Sequence, residues 1–362
     1  MKKVIIIFAI WLIFVNVFAL IANNRIYLTG DSAYTWQTPE TYTQKQTWDP
    51  ISLHTQWDSA FYLFIAEHGY NYNGEGLSNI AFFPLYPMLM RISAPVLFGN
   101  YALAGWLISI FSLFFALYYI KKLVDEFHPG VSPTLVIAFL LIFPTAFFLN
   151  VVYTEALFLF LSVASLYYAR KQSFALAGLI GVLAAFTRSP GFLLMIPLAI
   201  EYLRSEKKPL HAFPALFLPL FAPLIYFSFH ALWYGDFFAF FKVEDAWGRA
   251  LEVNSSHFAI ISSAGGINLA MDIFFLLIGI AAAIFVIWKV RLSYGIYMLA
   301  MLTLALATGT LLSIGRFVLV LFPIFIAVAM IHNAYIKLGI AFASILLLAL
   351  YTLLFVNGYW AG

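Results

Sequence analysis

An aspartate between a tryptophan and a serine, Trp57-Asp58-Ser59, opens a short aromatic segment that runs on to Ile65-Ala66-Glu67-His68-Gly69-Tyr70. A carboxylate set among aromatics suits a general base that takes the proton of a sugar hydroxyl. If the segment 57–68 is helical, Trp57, Phe61, Phe64 or Ile65, and His68 fall on one side. That pattern predicts an amphipathic helix lying in a membrane interface, with Asp58 at the boundary of water and lipid. An enzyme acting on a lipid-linked substrate needs its acid or base at that depth. The same aspartate also suits a helix N-cap, and the two roles are compatible.

Three further groups carry chemistry. Arg188, in Thr187-Arg188-Ser189-Pro190-Gly191, stands between two apolar segments. An arginine there costs a few kcal/mol on insertion, so it is a functional candidate by default. Its planar fork suits phosphate, although an ion pair with Glu155 or a snorkelling side chain explains it as well. Arg316, in Ser313-Ile314-Gly315-Arg316-Phe317, stands where one apolar run ends and the next begins. It suits an anion or a simple interfacial anchor. Glu155 follows Tyr153-Thr154 in a short turn, where it would bind an acceptor, orient Arg188 or cap the next helix.

The elements that must hold these residues are membrane helices. Of 362 residues 64% are hydrophobic and 10% charged, which excludes a soluble globule and implies an all-α polytopic membrane protein. Apolar runs of spanning length occur at about 4–22, 101–120, 133–150, 154–169, 211–234, 267–288, 292–312, 317–335 and 338–357. The stretch 174–203 reads as two short helices interrupted by Arg188, Pro190 and Gly191. The sum is about eleven membrane segments in one domain, 1–362, with two large external loops, 23–100 and 235–266. The first run lacks a small-residue cleavage site and reads as a retained helix.

Placing the N-terminus in the cytoplasm puts the short basic loops inside: Lys2 and Lys3, Lys121 and Lys122, Arg170 and Lys171, Arg204, Lys207 and Lys208, Lys289 and Arg291, and Lys337. Arg25, Lys45, Arg91, Arg188, Lys242, Arg249 and Arg316 are then left outside or near the outer face, where the rule does not want them. Some of these are expected to meet something negative. Asp236 to Glu252, with Lys242, Trp247 and Arg249, would line a sugar site or form a solvated loop. Asn254-Ser255-Ser256 has the pattern of a glycosylation sequon.

Several classes are disfavoured. No basic stripe supports nucleic-acid binding. No cysteine exists, so thiolate chemistry is unavailable. No Gly-rich phosphate loop supports a nucleotide-sugar donor. Glu67 and His68 are adjacent and do not face one way on a helix, so neither a metal nor another cofactor is expected.

The ordered blocks Trp57-Asp58-Ser59, Ile65 to Tyr70, Ala81-Phe82-Phe83-Pro84-Leu85-Tyr86-Pro87, Phe143 to Phe148, Tyr153-Thr154-Glu155, Thr187 to Gly191 and Gly315-Arg316-Phe317 resemble the PIG-V family. Those mannosyltransferases add the second mannose to GPI precursors, and they have prokaryotic relatives. The family resembles GT-C glycosyltransferases: polytopic bundles that use a polyprenyl-phosphate sugar from the outer or lumenal side and carry an acid in the first external loop. Asp58 matches that acid. The resemblance implies an inverting mannosyl transfer to a glycolipid or surface-glycan acceptor. The setting would be a plasma membrane, or the endoplasmic reticulum of a eukaryote.

Asp58 is the expected catalytic residue. Trp57, Glu67, His68, Arg91, Glu155, Arg188 and Arg316 form the expected substrate-binding set. The competing reading is a transporter or flippase of lipid-linked sugars. Transporters, however, place charge near the midplane between repeated halves, and here the charge gathers at one face. A non-catalytic scaffold is the third reading; it predicts no loss from Asp58→Asn.

Overall fold

A computed structural model describes residues 1–26, 50–74, 78–206, 208–246, 248–249 and 266–361. Lys45, Lys207, Trp247, Glu252 and the Asn254-Ser255-Ser256 triplet lie outside the described residues, as does most of the loop before Pro50. The described chain is helical and contains no strand. Its contacts group it into two compact units. The first comprises residues 1–69, 84–160 and 328–361; the second comprises 70–83 and 161–327.

Among the described residues five helical segments are long and apolar enough to cross a membrane: Lys2–Arg25, Tyr101–Phe127, Leu210–Tyr234, Asn268–Lys289 and Ala334–Val356. The chain is therefore a multi-pass membrane protein. These five coincide with five of the expected spans. The other apolar runs form shorter or broken helices. The run 133–150 is α-helical only over Pro133–Leu141, and a 3-10 turn, Ala146–Asn150, follows Pro144. The run 317–335 is divided by Pro323 into Ile314–Val320 and Pro323–Ala329. Proline lacks an N–H and clashes with the preceding turn, so an apolar run containing it need not be one helix. Seven residues rise only about 10 Å, against about 30 Å of hydrocarbon.

The first unit contains α1 (Lys2–Arg25), α2 (Ser59–His68), α3 (Leu85–Ser93), α4 (Tyr101–Phe127), α5 (Pro133–Leu141), the first turns of α6 (Glu155–Arg170) and, late in the chain, α15 (Ala334–Val356). α1 packs against α15 and α5, and α2 packs against α3 and α4. Here the expectation of a one-faced interfacial helix is corrected. Ser59, Ala60, Phe61, Tyr62, Leu63, Ile65 and Ala66 are all buried, so α2 is enclosed around its circumference by its neighbours. Trp57 precedes the helix with a left-handed backbone, φ 55°, and does not extend its apolar stripe.

The second unit contains the rest of α6, α7 (Phe174–Thr187), α8 (Met195–Arg204), α9 (Phe221–Tyr234), α10 (Ala239–Ala246), α11 (Gly266–Lys289), α12 (Leu292–Ala307), α13 (Ile314–Val320) and most of α14 (Pro323–Ala329). α7 ends at Thr187, Arg188 is extended (φ −150°, ψ 145°), and a 3-10 turn, Ser189–Leu194, leads into α8. This is the break expected from Pro190 and Gly191. The glycine has a packing reason: a Cβ at Gly191 would lie 2.5 Å from the Ala185 backbone. A buried cluster joins α6, α8 and α12. Glu201 accepts from Arg291 Nε at 2.9 Å and Nη2 at 2.6 Å, and also from Ser293 Oγ, with Arg170 Nε at 3.8 Å.

Candidate active site

The segment 56–59 is shaped by a tyrosine far along the chain. The Asp58 backbone N–H donates to Tyr153 Oη at 3.1 Å, and that hydroxyl donates to the Gln56 carbonyl, also at 3.1 Å. One phenol thus bridges both sides of Trp57. A left-handed backbone costs a non-glycine residue on the order of 1–3 kcal/mol and persists only where the surroundings impose it. Trp57 is held from its other end as well. Its indole Nε1 donates to the Tyr359 carbonyl at 3.1 Å, and its ring meets Trp360 edge-on at 5.3 Å.

Asp58 occupies the N-cap position of α2, but its side chain makes no capping hydrogen bond. The cap alone therefore does not account for the residue. Its side chain is half-buried at the head of a helix whose next residues are buried.

The wall beside Asp58 is built from the motif blocks. Tyr153, Thr154 and Glu155 are fully buried where the chain enters α6. Tyr62 Oη lies 3.4 Å from Thr154 Oγ1, and its ring packs on Tyr86 and Tyr153. Tyr86, from the Phe83-Pro84-Leu85-Tyr86-Pro87 block, donates to the Gly105 carbonyl at 2.8 Å and touches Ser109 Oγ at 2.8 Å. Ser109 in turn donates to the Tyr153 carbonyl at 3.3 Å. Gly105 permits this approach, since a Cβ there would meet Val152 Cγ1 at 2.7 Å. Burial holds the Tyr86 phenol well above its ordinary pKa; the nearby Tyr62 and Glu155 add to this, while Ser109 opposes it.

His54, in the 3-10 turn Pro50–His54, supports the same region from below. Its ring stacks on Trp106 at 5.3 Å, and its carbonyl accepts Val152 N–H at 2.9 Å. Burial lowers its pKa to about 4, partly offset by a hydrogen bond to the Asn150 backbone, so the ring is neutral at pH 7.

The expected substrate-binding residues divide into three places. Trp57 and Glu155 adjoin the Asp58 turn through Tyr153. Glu67 and His68 are exposed at the far end of α2, about 15 Å away along a helix of 10 residues. Arg91 is there too: its Nε donates to the Ala66 carbonyl at 2.7 Å and its Nη2 to the Glu67 carbonyl at 3.0 Å, which satisfies carbonyls at the end of α2. Arg188 and Arg316 belong to the second unit. There the Arg188 guanidinium lies over the Phe317 ring at 5.4 Å, and Arg316, the neighbour of Phe317, is buried. Two other outlying cations pair within their own loop: Lys242 with Asp236 at 2.6 Å, and Arg249 with Glu244 at 3.8 Å. For those two the local acids supply the negative partner.

Four supports of the turn, Tyr153, His54, Tyr359 and Trp360, are not among the site residues expected from the sequence, although Tyr153 stands within one of the motif blocks. For the first two the available signal was their closeness in sequence to other candidate residues. For the last two there was none, since Trp57 and Tyr359 are 302 positions apart.

No curated protein matches the chain. A family model does: residues 38–205 match mannosyltransferase (PIG-V), a stretch that contains Asp58, Glu155 and Arg188 and stops short of Arg316. That stretch, just under half of the chain, is similar to the PIG-V mannosyltransferases, and the match supports a PIG-V family glycosyltransferase.

Proposed function

We propose that this membrane glycosyltransferase moves mannose from a polyprenyl-phosphate-mannose donor to a hydroxyl of a glycolipid or surface glycan. The transfer inverts the anomeric centre and takes place on the extracytoplasmic face. The observation that carries the proposal is the Asp58 turn: a half-buried carboxylate at the head of α2, next to a Trp57 whose left-handed backbone is held from two sides.

Asp58 accepts the proton of the acceptor hydroxyl as that oxygen attacks the anomeric carbon. The new C–O bond forms as the bond from the anomeric carbon to the phosphate oxygen breaks. The electron pair leaves with the lipid phosphate, and Asp58 later returns its proton to water. Charge grows on the departing phosphate, and fixed cations stabilise it most where water is scarce. Arg188 and Arg316 are assigned to that charge on residue type and motif position. Stacking on Phe317 supports the Arg188 assignment, because it orients the guanidinium plane and leaves its edge donors directed along that plane. The one-sided basic pattern of the short loops supports a cytoplasmic N-terminus and external chemistry.

The test is transfer of radiolabel from polyprenyl-phosphate-[3H]mannose in membranes holding wild-type or Asp58→Asn protein, with extraction of labelled lipids and glycans. Label with wild type alone is the expected result. Equal label with both, at equal protein abundance, removes Asp58 as the base; label with neither removes the donor.

A further inference from the structure

The stretch Gly358-Tyr359-Trp360 lies outside the matched family region, yet it touches the candidate base's own turn. α15 closes with two hydrogen bonds: Tyr359 N–H to the Leu354 carbonyl at 2.9 Å, and Gly358 N–H to the Phe355 carbonyl at 3.0 Å. With Gly358 at φ 80° this is a Schellman closure, a geometry that glycine adopts without strain. The closure turns the chain so that the Tyr359 carbonyl meets Trp57 Nε1 and the Trp360 ring meets the Trp57 ring. The last turn of α15 contributes again, since Phe355 packs on Tyr153 and Phe148, beside the hydroxyl that bridges Gln56 and Asp58.

We infer that Tyr359 and Trp360 are positioning residues for Asp58. They hold Trp57 in its left-handed conformation and thereby set the direction of the carboxylate that follows it. The physical reason is over-determination. A strained φ survives only if several ties oppose its relaxation; Tyr153 ties the residues on either side of Trp57, and the 359–360 segment ties its indole. Loss of the second set lets φ relax, which swings the next residue. A displacement of about 1 Å at a reacting group is enough to cost on the order of a hundredfold in rate. This inference rests on the reading of Asp58 as the base.

The test combines kinetics with a readout that does not depend on turnover. In membranes supplied with polyprenyl-phosphate-[3H]mannose, Trp360→Ala is expected to lower kcat by about tenfold to a hundredfold, with donor KM within about twofold. Trp360→Phe keeps an aromatic edge against Trp57 and should recover most of the rate. The chain has no cysteine, so Asp58→Cys supplies a single thiol. Its labelling rate by a membrane-impermeant maleimide should change severalfold when Trp360→Ala is added, and not when Trp360→Phe is added.

Unchanged kcat and unchanged thiol labelling in Trp360→Ala, alongside an inactive Asp58→Asn, overturn the positioning role and leave the base assignment standing. An active Asp58→Asn overturns the base assignment; the thiol labelling then decides by itself whether 359–360 sets the turn. If Trp360→Ala does not accumulate, Gly358→Ala, which strains the closure and removes no ring, makes the same comparison.

Discussion

The Tyr153 hydroxyl and the Asp58 backbone nitrogen, 95 positions apart in the chain, meet at 3.1 Å, and the same hydroxyl returns a hydrogen bond to Gln56. The turn that carries the carboxylate is thus tied to Tyr153 through its main chain, and the Asp58 side chain does not cap the helix it heads. Tyr153→Phe is expected to keep the fold, because the ring contacts with Phe148, Tyr62 and Phe355 remain. The loss is two hydrogen bonds at about 1 kcal/mol each. Turnover should fall by about tenfold or more with little change in donor KM, read from transfer kinetics at matched abundance. Equal kcat in Tyr153→Phe rules out the hydroxyl as a support of the base.

Asp58→Asn and Asp58→Glu separate charge from position. Asn preserves size and removes proton affinity, so kcat should drop by about a hundredfold to ten-thousandfold. Glu keeps the base but moves it outward by one methylene, so an intermediate loss is expected. Neither variant removes a capping bond from α2, and thermal unfolding in detergent at matched abundance separates a loss of rate from a loss of fold.

Arg188 is tested by its stacking partner. Arg188→Lys keeps the charge but gives up the planar contact with Phe317 and the forked donors. If Arg188 meets the donor phosphate, Arg188→Ala should raise donor KM or lower kcat strongly. Lys should recover only part of that loss, and acceptor dependence should stay near wild type. Equal effects on both substrates would return Arg188 to a structural role.

Gly191→Ala is expected to disturb the α7 break, because the new methyl would press on the backbone of Ala184 and Ala185 and no flexible side chain can yield. Lower abundance, or loss of activity with donor binding weakened as in Arg188→Ala, is the expected outcome. A fully active, stable Gly191→Ala would show that the break can shift without cost.

Acid should loosen the turn beneath the site. His54 has an ordinary pKa of 6.5 and about 4 when buried, so the opened state takes up a proton that the closed state refuses. The closed turn is fully favoured above pH 6.5 and loses stability as pH falls from there toward 4. Over that window the change amounts to about 3 kcal/mol. Hydrogen exchange of residues 50–58, corrected for intrinsic rates, should accelerate between pH 7 and pH 5 in wild type. His54→Phe, which retains a ring against Trp106, should not show the acceleration.

The membrane class, the five full-length spans and the break at Arg188 were legible in the sequence. Each depends on local quantities: apolar run length, the missing N–H of proline, and residue types clustered within a few positions. Several things required the tertiary structure. Segment 57–68 follows an amphipathic spacing, yet α2 is enclosed, because the alternation of residue types does not reveal how many neighbours surround a helix. Apolar runs at 133–150 and 317–335 looked continuous, and their prolines divide them. Arg91 stood out as an external cation, and its guanidinium closes α2 through main-chain carbonyls that sequence does not display. The convergence of Tyr153, Tyr359 and Trp360 on the Asp58 turn rests on contacts between residues far apart in the chain, and these exist only once the helices have packed.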